Sequence, residues 1–136
     1  MKLQELAGEL RTQLLEFFQT VRITAIQNAD QFLAELAAIN PDKLPGVLIV
    51  YESTMFSATN TIRDERLTLV LIDRFRANSD DRALQLFTAL EQLLELFPPE
   101  GRMIEEVFVR PEDVQASSPS ADFAAVALGL LVSQGS

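Results

Sequence analysis

Apolar and polar positions alternate most clearly over residues 47–75, and the rest of the chain is organised around that stretch. Val47-Leu48-Ile49-Val50-Tyr51-Glu52 and the run from Arg66 through Leu67, Leu69 and Leu71 to Phe75 are rich in β-branched and long apolar residues. Such residues fit a pleated, half-buried surface. Ser53, Thr54, residues 57–60 and residues 63–65 form a polar connection with no helical stripe, so the pattern predicts a long antiparallel hairpin. In its second strand Leu67, Leu69, Leu71 and Phe75 make one face, and Thr68, Val70, Ile72 and Arg74 make the other. Both faces are apolar in the middle. This predicts a central strand covered at least partly on both sides, with a second protein surface as a candidate cover for the remainder.

Helical spacing flanks the hairpin. Leu3, Leu6, Ala7, Leu10, Leu14, Phe17 and Phe18 recur every three or four residues and predict a first helix over residues 2–19, with Leu15 off its stripe. Residues 21–26 alternate well enough for a short strand or an extended link. Asn28 is placed to cap a second helix, with Gln31 three residues on and Phe32, Leu33, Leu36 and Ala37 as its buried face. Asn40-Pro41 stops that helix, because a residue before proline is pushed out of the helical region. Pro45-Gly46 then turns the chain into the hairpin.

After the hairpin, Ser79 is positioned to cap a third helix whose first turn holds Asp80 and Asp81, where negative charge suits the helix dipole. Ala83, Leu86, Phe87, Leu90, Leu93, Leu94 and Phe97 form its stripe, widened by Leu84 and Leu96, and Pro98-Pro99 ends it. Residues 103–110 read as one strand and residues 111–119 as an irregular polar loop, mobile around Ser117, Ser118, Pro119 and Ser120. Residues 121–132 suit a helix by their alanines, but a final strand is the better reading. It would set Phe123, Ala125, Ala127 and Leu131 against Val126, Leu128, Leu130 and Val132. Residues 133–136 read as a frayed tail. The order is α-(β)-α-β-β-α-β-β, a single α+β domain over residues 1–136. Its sheet is mostly antiparallel and built on the long central hairpin, with helices packed against it.

Composition narrows the chemistry mainly by exclusion. Histidine and cysteine are both absent, which removes imidazole and thiolate catalysis, disulfides and the usual soft-metal ligands. No glycine-rich phosphate cradle occurs among the five glycines. Carboxylates do pair, at Asp64-Glu65, Asp80-Asp81, Glu105-Glu106 and Glu112-Asp113. Neighbours on a strand point to opposite faces, so these read as solvated surface charge and not as a cation site. The expectation is a protein that is not an enzyme and carries no cofactor or metal.

Eleven basic residues against 20 acidic ones give a net charge of −9. That balance argues against binding nucleic acid, which needs clustered Lys and Arg. No apolar run is long enough to span a membrane, and the start leads straight into an amphipathic pattern, so synthesis in the cytoplasm is expected. Five residues are candidates for a protein interface: Tyr51 at the first strand's exit, Met55 and Phe56 in the polar connection, and Arg74 and Arg76 at the second strand's exit. Met55 and Phe56 read either as the strand continuing or as an apolar anchor.

The length, the amphipathic first helix (Leu3 to Phe18), the lead-in Pro45-Gly46-Val47, the long strand ending in Arg74 and Arg76, the helix of residues 83–97 and two closing strands resemble the tail terminator and minor tail proteins of contractile and long-tailed bacteriophages, including the Mu-like minor tail family. The resemblance covers nearly the whole chain but is one of pattern, with no diagnostic motif. It implies a structural subunit, made in a bacterial cytoplasm and found in a virion tail or phage-like particle. Such a subunit forms a homo-oligomeric ring of about six copies on the last tube ring, ends tail growth and offers a surface to the connector. In prophage-derived particles the same role caps a tube without a DNA-filled head. Partners would be further copies, the tube protein, and sheath or connector proteins. Two alternatives stay open: a small acidic chaperone dimer of the type III secretion class, which usually closes on a helix, and an unrelated α+β protein-binding module.

Overall fold

The computed structural model describes residues 2–25, 28–56, 62–74, 80–120 and 122–135. In chain order it contains α1 (Leu3–Leu14), β1 (Thr20–Thr24), α2 (Ala29–Ala37), a 3-10 turn (Pro41–Lys43), β2 (Gly46–Phe56), β3 (Ile62–Arg74), α3 (Asp80–Leu96), β4 (Arg102–Ile104), β5 (Val107–Ser120) and β6 (Phe123–Gly135). The strands make one sheet in the order β1-β2-β3-β6-β5-β4. Only β1 and β2 run parallel; the remaining pairs are antiparallel. The chain is therefore an α+β protein with the expected central hairpin, and β3 lies between β2 and β6.

The period-two pattern of β3 sets the core. Leu67, Leu69 and Leu71 face the same side as Val47 and Ile49 of β2 and Val126, Leu128, Leu130 and Val132 of β6. Leu6, Leu10 and Leu14 of α1 and Ala89, Leu93 and Phe97 of α3 cover that face. A helix of 12 residues is marginal alone. Burying its three leucines, about 2 kcal/mol each, is what sustains it. On the opposite face α2 places Leu36, followed by Ile39, over Leu48 and Ile72. The central strand is thus covered on both faces, but α2 covers only one end of its face. The rest of that face carries Glu52, Arg66, Thr68 and Gln115, so it is polar and needs no apolar cover.

Several boundaries differ from the pattern's expectation. The polar connection is shorter than it looks, because β2 runs on to Phe56 and β3 begins at Ile62, with Thr54 paired to Glu65. The helical turns of α1 stop at Leu14. A tightened turn follows in which the N–H groups of Phe17 and Phe18 both bond to the Leu14 carbonyl, so Phe18 is buried and Phe17 exposed. Asn28 does cap α2, accepting the Gln31 N–H at 2.9 Å. However, Leu33 and Ala37 are exposed, because the helix rests on the line through Leu36. Ser79 and Phe75 lie outside the described residues.

The C-terminal third differs most. Residues 103–110 are not one strand: β4 turns back onto β5 through Glu105 and Glu106, with Glu105 in the left-handed region at φ 54°. The expected loop at 111–119 is strand β5, paired along β6 with register shifts between Pro111 and Asp113 and between Ser117 and Ser120. Those irregularities let a proline-containing strand stay in a ladder. Residues 123–132 belong to a strand, as favoured, which continues through the expected tail: Ser133, Gln134 and Gly135 pair with β3, and Gln134 is buried.

Candidate interaction surface

β3 fixes where the candidate interface residues lie, and it separates them. Met55 and Phe56 end β2 opposite Asp64 and Arg63. They continue the strand and do not sit in a loop. Arg74 ends β3 at the other extreme, opposite Phe123. From Arg63 to Arg74 the strand spans about 36 Å at 3.3 Å per residue. Arg76 lies outside the described residues. Tyr51, Met55 and Phe56 therefore share one corner of the sheet, and Arg74 belongs to another.

The Tyr51 corner holds a polar network. Glu65 lies on the helix-covered face, in phase with Leu67, and is 2% exposed. Its carboxylate accepts from Thr54 Oγ1 at 2.5 Å and pairs with Arg63 Nε at 2.8 Å. The single Thr54 proton is committed to Glu65, so the Tyr51 hydroxyl, 2.7 Å away, is the donor to Thr54. A buried carboxylate is tolerable only when partnered in this way. The Tyr51 side chain, 46% exposed, is thereby held at the outer end of a chain of bonds that starts inside the protein.

Arg74 has a simpler setting. Its backbone N–H donates to the carboxylate of Asp73 at 2.8 Å, and Asp73 is buried beside it. The paired acids are explained locally: Asp80 and Asp81 occupy the first turn of α3, and Glu105 and Glu106 sit in the β4–β5 turn. Asp64 and Glu65 lie on opposite faces of β3. Among the described residues no group of three or more Asp or Glu is arranged to hold a metal ion.

Two surface features escaped the sequence pattern. Leu84 and Phe87 of α3 are 59% and 61% exposed. Leu84, with Phe17, lines an open groove of about 400 Å³ whose other wall includes Lys43 and Pro45. On the opposite face Glu52, Arg66, Thr68, Glu112 and Gln115 surround a polar concavity of about 150 Å³. Arg66 and Glu112 pair there at 3.3 Å, and the Asp113 carboxylate fills the space left by the missing side chain of Gly129.

Among the described residues no helix is long and apolar enough to cross a membrane. A scan of the chain against protein-family models finds no match, and no curated protein matches it.

Proposed function

We propose that this protein is a structural, non-enzymatic subunit of a phage or phage-like tail. Copies of it form a ring on the end of the tube, stop tube growth and present a surface to the connector. The observation that supports this reading over a secretion-type chaperone is the pair of long strands β5 and β6. They are 14 and 13 residues long and pair with each other, in a region where such a chaperone usually has a helix. The exposed side chains of Leu84 and Phe87 on α3 and of Tyr51 suit a subunit that buries surface on assembly. The acidic balance would let DNA pass a lumen without sticking.

Particles assembled without this subunit provide the test. Tubes of uncontrolled length, restored to one length when the protein is supplied, are the expected result. Tubes of normal length in its absence would overturn the assignment.

A further inference from the structure

The two edges of the sheet are stepped. β1 pairs with residues 46–50 of β2 and leaves residues 51–56 without a neighbour on that side among the described residues. At the other edge β4 pairs only with residues 107–109 of β5, leaving residues 110–120 open in the same sense. Open edges present free backbone donors and acceptors, and monomeric proteins usually guard them with charge. Here Asp113 is the last charged residue before Asp122. Val114, Gln115 and Ala116 along this edge are all exposed.

We propose that the ring closes by strand addition between copies, residues 113–117 of β5 in one copy pairing with residues 51–56 of β2 in the next. This rests on the ring reading above and names its contact. Three features of the sheet favour a second copy in this arrangement. First, β2 and β5 run antiparallel to each other within one sheet. A neighbour rotated about an axis near the strand direction therefore sets its β5 against β2 as an antiparallel pair. Second, the steps nearly interlock: the neighbour's β4 lies beyond the end of β2, and its β5 meets the end of β1 at the irregularity between Ser117 and Ser120, where it must bend aside.

Third, the offset is one that a closed ring can absorb. Gln115 is level with Ala127, Val70 and, in β2, Leu48. The open part of β2 is centred about five residues further along, a shift of about 17 Å. Four strands per copy, β2, β3, β6 and β5, span about 19 Å. Copies at equal height then need strands tilted by about 40° to the ring axis, within the range of closed barrels. Because Glu52 is bulged out of the ladder, the same shift sets Gln115 of one copy beside Thr54 of the next, and Ala116 beside Ser53.

The chain has no cysteine, so introduced thiols report alone. The test is a Ser53→Cys, Ala116→Cys double variant, with Gln115→Cys and Ser117→Cys replacing Ala116→Cys to allow for a one-residue slip. Each is oxidised at a concentration where the reduced variant forms wild-type rings under negative stain, which also shows that it folds. The expected result is a covalent ladder ending at the ring's copy number from at least one double variant, with each single variant remaining uncrosslinked. A dimer from Gln115→Cys alone would overturn the proposal in favour of two-fold β5–β5 pairing. Rings that yield no ladder from any pair would overturn the strand contact while leaving the ring intact. Absence of rings in the wild-type protein would remove the ring reading, and this contact with it.

Discussion

Glu65 shows most directly how local chemistry and fold depend on each other. Its carboxylate is buried, accepts from Thr54 and forms an ion pair with Arg63, so Glu65→Ala removes the partner of both groups. A loss of about 1–3 kcal/mol is expected in urea unfolding. Tyr51→Phe should cost less, about 0.5–1 kcal/mol, because that hydroxyl sits at the solvent end of the network. Equal losses would show that the bonds do not form the inward chain described. The burial of Glu65 was legible in principle, since it shares parity with Leu67, Leu69 and Leu71. Its neighbours Arg63 and Asp64 made the segment look like a loop. Gly101 is a second residue-scale constraint: it sits at φ 81°, and an added Cβ would meet the Phe108 ring at 2.3 Å. Gly101→Ala is expected to lower the melting temperature through both the left-handed backbone, about 1–2 kcal/mol, and displacement of that ring. An unchanged melt would contradict this.

At the scale of elements, α3 separates what spacing can and cannot tell. Apolar residues occupy more than one side of this helix, so its existence was plain while its orientation was not. Packing selects the line through Ala89, Leu93 and Phe97. Phe87 is two residues from that line, about 200° round the helix, and therefore faces out. Leu93→Ala is expected to cost about 2–5 kcal/mol in thermal or urea unfolding, and Phe87→Ser less than about 0.5 kcal/mol. The reverse order would mean the helix is turned the other way. β5 was not legible for a different reason. Its polar residues and two prolines resemble a loop, and only pairing along β6 holds them in a strand. The central hairpin and the closing strand β6 were readable because their apolar alternation needs no partner to be recognised. The candidate interface was less so: Tyr51 and Arg74 look close in sequence, but β3 carries them to different corners.

For the whole molecule, the decisive property is a sheet with stepped, incompletely paired edges on an acidic chain. A dilute protein of this kind is expected to remain monomeric or weakly associated, because each strand contact is short and becomes mutually reinforcing only when a ring closes. The measurement that tests this most directly is oligomeric state across concentration, by light scattering coupled to size exclusion and followed by negative-stain microscopy. Monomers at dilution that give way to closed rings of about six subunits on concentration are the predicted result. A tight dimer that persists on dilution, with no rings at any concentration, would contradict the account and direct attention to an unfolded partner instead.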